Sequence, residues 1–212
     1  MARKVPVFLE PTKDRSIIVF GGGNVAYRKC RQFEGFHITV VADKTVPNMG
    51  EVCDEIILDH FNPEDIGGYL EGKFIAVAAT DSKALNAAIT ASARRNGILV
   101  NSAHGGGDIL LPSIVRKDTY TVAVSSEGSV PAFPPYVARR IDEMLGPEYD
   151  LMMRLLTEIR SGLQERVSQQ PRRAEYLAEI LATEKVWKKL ENSDLPGALD
   201  IARGLEERYR DQ

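Results

Sequence analysis

The sequence predicts an α/β fold in which a doubly wound parallel sheet is followed by a region of helices. Short apolar runs rich in valine and isoleucine alternate with helical stretches up to residue 115, which is the pattern of βαβ units. The first run leads into three glycines, and from Pro147 onward the sequence predicts helices and no strand. A chain of 212 residues can form one large domain or two small ones.

Five continuous apolar runs predict five buried parallel strands. They are Ser16–Phe20, His37–Val41, Glu55–Leu58, Phe74–Ala79 and Ile98–Asn101. Helices are predicted over Asn24–Glu34 and Ser82–Arg95. Asp81 and Ser82 are suited to cap the start of the second helix, and Asn96-Gly97 to end it.

Beyond these runs, LPSIV and YTVAVSS predict two further strands joined by a turn at residues 116–118. Proline is tolerated in the first turn of a helix and not in its middle, so the next helix should start near Pro134 and end near Gly146. Apolar residues then recur every four positions from Leu151 to Val167, which predicts one amphipathic helix. Trp187 and Leu190 are expected to close a small helical core.

Composition and charge exclude several classes of protein. A net charge of −3 gives no reason to expect nucleic-acid binding, and no apolar run approaches the roughly 18 residues of a transmembrane helix. The N-terminus lacks the continuous apolar segment of a secretory signal. Cys30 and Cys53 fit a reducing cytosol, each as a small buried side chain, so we expect a cytoplasmic protein. His37 and His60 are expected to be structural or exposed, and no histidine pair has the spacing of a zinc site.

The first glycine turn has the spacing G-x-G-x-x-A and predicts a Rossmann-type dinucleotide site. Gly21 permits the tight turn, Gly23 lets the backbone approach a pyrophosphate, and Ala26 lets the helix pack on the sheet. The helix that begins at Asn24 and Val25 offers free N–H groups to the phosphates. The alternative is a structural glycine turn with no ligand.

Three polar residues at predicted strand ends extend this site. Asp43 lies about 20 residues after Gly23, where an acid can bind a ribose hydroxyl and favour NAD over NADP. It could instead simply begin the loop DKTVPNMG. Thr80 and Asp81 end a strand on the cofactor side and could line the nicotinamide ribose, although Asp81 could serve as a helix cap.

The chain resembles a known family in several stretches. PVFLEPTKDRSIIVFGGGNVAYRKC, AVAATDSKALN, NSAHGGGDILLPSIV and YTVAVSSEGSVP come in the order and spacing of precorrin-2 dehydrogenase, the NAD-dependent module of siroheme synthase. The resemblance covers essentially residues 5–145. It implies an NAD-binding Rossmann domain over 1–115, a dimerisation segment over 116–146 and a helical domain over 147–212.

The resemblance also implies an activity. Members of the family oxidise precorrin-2 to sirohydrochlorin with NAD as hydride acceptor, and some insert iron or cobalt into the product. Proteins of this kind are homodimers, so we expect a homodimer that binds a tetrapyrrole. The methyltransferase domain of the full siroheme synthase is not expected here. A competing hypothesis is a non-catalytic module that senses NAD and regulates a partner.

The sequence departs from the family where an aspartate usually follows the fifth strand. The chain reads NSAHGGGD, which puts His104 at that position if the loop is aligned from Asn101, with Asp108 as the nearest carboxylate. Either could act: a histidine could take a proton or bind a metal. Alternatively neither acts. Glycines 105–107 predict a loop that a flat substrate can approach, or an ordinary turn.

Substrate carboxylates have candidate partners further along the chain. Ser125, Ser126 and Gly128 precede a helix, where hydroxyls and free N–H groups can hold an anion. Arg139 is the leading cationic candidate, and Glu127 is expected to point to solvent. The other cations considered are Arg116, Lys117 and Arg140. Taken singly, a cation of this kind is more often a solvated surface residue.

Overall fold

The computed structural model describes residues 4–12 and 14–210. The chain forms two compact units, of which the first ends at Leu111 and the second begins at Pro112. The first unit contains a five-stranded parallel sheet in the order β3-β2-β1-β4-β5. The strands are β1 Ser16–Phe20, β2 His37–Ala42, β3 Glu55–Leu58, β4 Lys73–Ala78 and β5 Leu99–Ser102. The predicted α/β class and parallel sheet are therefore confirmed.

Apolar side chains cover both faces of the sheet. Ile17 and Val19 of β1 belong to one buried cluster, and Ile18 and Phe20 belong to the other. Successive strand side chains point to opposite faces, so burial on both faces explains why the runs are continuous. Burial was wrongly predicted for β3, because this edge strand pairs only with β2 and leaves Leu58 exposed.

The first unit has one helix that is clearly shorter than predicted and one helix that was not predicted. They are α1 Asn24–Cys30, α2 Ile66–Leu70 and α3 Lys83–Arg95. The predicted helix over 24–34 tightens into a 3₁₀ turn over Arg31–Phe33 and ends before Gly35, which has φ +92°. No helix was predicted at α2, whose two central glycines disfavour helix; burial of Ile66 and Leu70 compensates.

The caps of α3 correct one assignment and confirm another. Ser82 is the N-cap, and its Oγ accepts a hydrogen bond from the Leu85 N–H at 3.2 Å. Asp81 precedes the cap, so the expectation that it might cap this helix is wrong. The helix ends at Asn96 and Gly97, with Gly97 at φ +69° as a C-terminal glycine should be.

The second unit begins with an antiparallel hairpin and continues with helices. Its elements are β6 Ser113–Arg116, β7 Thr121–Val124, α4 Phe133–Met144, α5 Pro147–Arg160, α6 Leu163–Arg166, α7 Gln170–Ala182, α8 Glu184–Glu191 and α9 Leu195–Glu206. From Pro147 to Arg210 the described chain contains no strand, as predicted.

The predicted helix from Leu151 to Val167 is broken. Helix α5 ends at Arg160, and Gly162 at φ +69° turns the chain before α6. The apolar periodicity survives the break because Leu155, Leu163 and Val167 all lie in the same buried core. Leu190 belongs to that core and Trp187 is half-buried against it.

The cysteines and the hydropathy of the helices carry little functional information. Cys30 is buried, and burial together with the neighbouring Cys53 raises the pKa of its thiol to about 12. Cys53 is half-buried rather than buried, and it packs against the edge of a buried apolar cluster of the first unit. Among the helices within residues 4–12 and 14–210, none has the length and apolar character to cross a membrane.

Candidate active site

The first glycine turn leaves no room for side chains at two of its positions. Gly21 has φ +114°, and its N–H donates to the Val41 carbonyl at 2.9 Å. A Cβ on Gly21 would lie 2.4 Å from the Ala79 carbonyl oxygen, and one on Gly22 would lie 2.0 Å from the Lys44 carbonyl oxygen. Both neighbours are backbone, so the protein itself requires glycine at these positions.

At position 23, by contrast, neither a close contact nor the backbone conformation requires glycine. Its φ is −85°, and a Cβ there would meet nothing within 4 Å. It is the N-cap of α1 and offers no side chain to the first helical N–H groups, while Ala26 packs fully buried beneath it. An open cradle at the positive end of a helix fits a diphosphate, so the residues present suit the dinucleotide that the pattern predicts.

A groove of about 670 Å³ lies along the carboxyl edge of the sheet in the first unit. It collects residues from α1 and from the segments that follow β4 and β5. In a parallel sheet with this strand order, ligands bind at that edge. The lining residues are Val25, Arg28, Lys29, Gln32, Thr80, Asp81, Asn101, Ser102, Ala103, His104, Leu110 and Leu111.

The groove brings four predicted site residues together: Val25, Thr80, Asp81 and His104. Of the remaining predicted cofactor residues other than Asp43, all three belong to the turn that leads directly into Val25: Gly21, Gly23 and Asn24.

Lys29 lines the groove and was missed by the sequence reasoning. Its Nζ donates a hydrogen bond to Asn101 Oδ1, which ties α1 to the end of β5. Burial lowers the pKa of its ammonium group, and the neighbouring Arg28 lowers it further. The available signal was spacing: Lys29 lies four residues after Val25, on the same face of the helix.

His104 is anchored by Asn86, a second residue that was missed. Asn86 lies on α3 with its side chain fully buried, and its Nδ2 is 2.7 Å from His104 Nδ1. The same amide contacts Thr80 through three hydrogen bonds, with Oδ1 accepting from the backbone N–H at 3.0 Å and from Oγ1 at 2.8 Å, and Nδ2 donating to the carbonyl at 2.9 Å. One buried side chain therefore fixes the loops after β4 and β5.

Asp108 lies outside this groove and already has partners. Its carboxylate accepts a hydrogen bond from Arg94 Nε at 2.8 Å and from the Val100 N–H at 3.3 Å. Arg94 also donates to the Gly106 carbonyl at 2.7 Å, so the pair holds the loop against α3. Of the two predicted catalytic residues, His104 lines the groove and Asp108 does not.

The second run of glycines has two kinds of constraint. Gly105 and Gly106 have φ +83° and +79° with open space around a Cβ, so their backbone conformation favours glycine. A Cβ on Gly107 would lie 2.6 Å from the Val100 carbonyl oxygen, so a close approach favours glycine there.

Asp43 follows β2 at the same edge of the sheet but does not line the groove. Its Oδ1 lies 2.8 Å from His60 Nδ1, and both side chains are exposed. The contact with His60 occupies one carboxylate oxygen. His37 is exposed too, at the first position of β2.

The predicted substrate residues Ser125, Ser126, Gly128 and Arg139 lie in the second unit. The serines precede α4, which begins at Phe133 with Ala132 as its N-cap. Ser126 Oγ donates to the Val130 carbonyl at 3.0 Å, and Ser125 Oγ accepts from the Glu127 N–H at 3.0 Å.

These contacts build a turn in which Glu127 and Gly128 have φ +54° and +88°. Arg139 is exposed on α4, where its guanidinium lies over the Tyr136 ring and 4.0 Å from Glu143. Among the other cations considered, Lys117 pairs with Asp142 at 2.6 Å and Arg140 with Glu143 at 3.5 Å. In the part of the chain that the structure describes, no cluster of histidine, cysteine and carboxylate side chains is arranged to hold a metal ion.

Comparisons with known proteins agree with this architecture. A family model described as putative NAD(P)-binding matches residues 7–113. A precorrin-2 dehydrogenase of Methanosarcina barkeri is 32% identical over 197 residues, which cover 89% of this chain and 88% of that protein. A siroheme synthase of Chromobacterium violaceum is 32% identical over 76% of this chain.

The siroheme synthases are longer proteins, and the match to the Chromobacterium violaceum protein covers 35% of its length. A solved structure of SirC, precorrin-2 dehydrogenase, has the same fold, with a TM-score of 0.71, 23% identity, and coverage of 94% of this chain and 100% of that one. The identity and coverage shared with the Methanosarcina barkeri protein settle the family. This chain belongs to the precorrin-2 dehydrogenase family.

Proposed function

We propose that this chain oxidises precorrin-2 to sirohydrochlorin with NAD as the acceptor, a step of siroheme biosynthesis. The observation that carries the proposal is the groove that joins the start of α1 with the ends of β4 and β5, next to the open cradle at Gly23. Bound NAD would supply the hydride acceptor, and the protein would position the substrate against it.

The residues of the first unit have separate tasks in this proposal. The N–H groups at the start of α1, around Asn24 and Val25, bind the diphosphate. Thr80 and Asp81 would hold the nicotinamide ribose, and Asp43 would hold the adenosine ribose hydroxyl groups in place of its contact with His60. Asp43 thereby favours NAD over NADP.

The charge of the groove suits a substrate that carries many carboxylates. Arg28 and Lys29 contribute basic side chains to its lining beside the imidazole of His104, while Asp81 contributes a carboxylate. Ser125, Ser126, Gly128 and Arg139 remain predictions as further carboxylate partners. Asp108 is assigned to holding the loop through Arg94 rather than to the chemistry.

We also propose a cytoplasmic homodimer in which residues 116–146 supply the interface. Phe133, Tyr136 and Met144 of α4 are exposed by 56%, 53% and 72%, and exposed apolar side chains on one element mark an interaction surface. Sedimentation of the wild type and of a Phe133→Ser, Met144→Ser variant would test it. A variant that stays dimeric would contradict the assignment.

The test of the activity is incubation of the purified protein with precorrin-2 and NAD. The expected result is that sirohydrochlorin, followed by its absorbance, and NADH form in equal amounts. NAD binding without turnover would instead favour the regulatory sensor. Iron or cobalt added to sirohydrochlorin, with and without protein, tests metal insertion as a separate activity in which the ion is a substrate.

His104→Ala should slow turnover more than it weakens NAD binding, because the side chain lies in the groove. His37→Ala is the matched control. His37 is an exposed histidine at the first residue of β2, and it does not line the groove. Equal turnover of His104→Ala and the wild type would remove His104 from the mechanism.

A further inference from the structure

The amide of Asn86 has a fixed orientation. The Thr80 N–H can only donate and the Thr80 carbonyl can only accept, and they lie 3.0 Å from Oδ1 and 2.9 Å from Nδ2 respectively. Turning the amide round would set donor against donor and acceptor against acceptor at a fully buried side chain. The hydrogen-bond network therefore assigns Nδ2 as the atom that faces His104.

This orientation decides the protonation of the His104 ring. Nδ2 carries hydrogen and lies 2.7 Å from His104 Nδ1, so Nδ1 must offer its lone pair. A neutral imidazole with an acceptor at Nδ1 carries its hydrogen on Nε2. The opposite tautomer would place two N–H groups face to face at the same distance.

We infer that Asn86 is a positioning residue that holds His104 as the Nε2–H tautomer, so that His104 serves the groove as a hydrogen-bond donor. Nε2–H of His104 would donate to an anionic oxygen, such as a substrate carboxylate. Nε2 would not accept a proton or bind a metal ion. A metal ion at Nε2 would force the hydrogen onto Nδ1, against Asn86. The inference rests on the proposed function for the identity of the ligand.

The tautomer can be measured directly by nitrogen NMR of the imidazole rings in the full chain, without NAD or substrate. The chain has three histidines, and a His104→Gln variant identifies the signals of His104. At a pH about two units above the ordinary histidine pKa of about 6.5, we expect protonated Nε2 and unprotonated Nδ1. An Nδ1–H signal, or averaged shifts from exchanging tautomers, would overturn the inference.

Asn86→Asp sharpens the measurement because it keeps the size of the side chain and replaces the donor by an acceptor. We expect the His104 tautomer to invert in this variant. Ser82→Ala is the control: it removes the cap of the same helix and leaves the Asn86 side chain in place, so the tautomer should stay. If Asn86→Asp does not fold, the wild-type spectrum still decides.

Turnover separates a donor from an acceptor at position 104. His104→Gln keeps an N–H donor, whereas His104→Asp supplies the acceptor that the family usually has there. We expect kcat of the Gln variant to exceed that of the Asp variant by about tenfold, as the loss of one charge-assisted hydrogen bond would give. An Asp variant as fast as the Gln variant would contradict donation by His104.

The two proposals fail in different ways. A wild type that shows the Nε2–H tautomer but no turnover of precorrin-2 would overturn the function and leave the positioning by Asn86 intact. A wild type that turns over precorrin-2 with an Nδ1–H tautomer would overturn the positioning and leave the function intact.

Discussion

The two Gly-Gly-Gly turns, at residues 21–23 and 105–107, have the same sequence, but glycine is favoured in them for different physical reasons. At residues 21–23, Gly21 and Gly22 are pressed against the backbone of neighbouring segments, and Gly23 faces open space with an ordinary φ. At residues 105–107 the order is reversed, because Gly105 and Gly106 are open at positive φ and Gly107 is crowded. Among these six glycines, Gly23 has neither a crowded Cβ nor a positive φ, so a ligand is the best reason for its small size.

The largest effect is expected for Gly22→Ala. Its Cβ would lie 2.0 Å from the Lys44 carbonyl oxygen, so the backbone at Gly22 or in the segment that follows β2 must move. We expect the free energy of unfolding to fall by about 3 kcal/mol or more, measured by urea unfolding. Gly50→Ala is the control, because a Cβ there meets nothing within 4 Å. Similar stability of the two variants would show that the first turn is not crowded.

Gly107→Ala should have the next largest effect. The new Cβ would lie 2.6 Å from the Val100 carbonyl oxygen, which also accepts the Asp108 N–H at 2.7 Å. Overpacking of this kind costs about 2 kcal/mol in unfolding free energy. Thermal unfolding would measure it, and an unchanged midpoint would count against the close approach.

Gly23→Ala should separate binding from stability. The Cβ fits the protein but intrudes on the proposed diphosphate cradle, so NAD affinity should fall at least about tenfold, or about 1.4 kcal/mol. The unfolding free energy should change by less than about 1 kcal/mol, the scale of an N-cap exchange. Calorimetry with NAD measures the first quantity, and unchanged affinity would contradict the cradle.

The smallest effect is expected for Gly105→Ala. Its space is open, so the cost is the left-handed backbone, about 1 kcal/mol. Gly105→Asn should cost less, because asparagine tolerates this conformation better. NAD affinity should not change in either variant. A loss of NAD affinity as large as that of Gly23→Ala would erase the distinction between the two turns.

Sequence alone predicted the parts of the molecule that local pattern controls. The five strands, the caps of α3 at Ser82 and Gly97, and the glycine turn all follow from short-range chemistry. The helix α2 was missed because glycine disfavours helix, and tertiary burial overrode that preference. The break at Gly162 was missed because apolar periodicity continues across it.

The site was harder to predict because its contacts join distant positions. Lys29 contacts Asn101 across 72 residues, and Asn86 contacts His104 across 18. Local spacing could place Val25 and Thr80 at the groove. It could not show that Asn86 points into the loop of His104, or that Arg94 holds Asp108 away from the groove.

Backbone amide NMR during NAD titration tests the central claim most directly, because it reports on both glycine turns in one experiment. We expect saturable shifts of the amide signals of Gly22, Gly23, Asn24 and Val25, larger than any at Gly105 or Gly106. Absence of NAD binding, or shifts confined to residues 105–107, would contradict it.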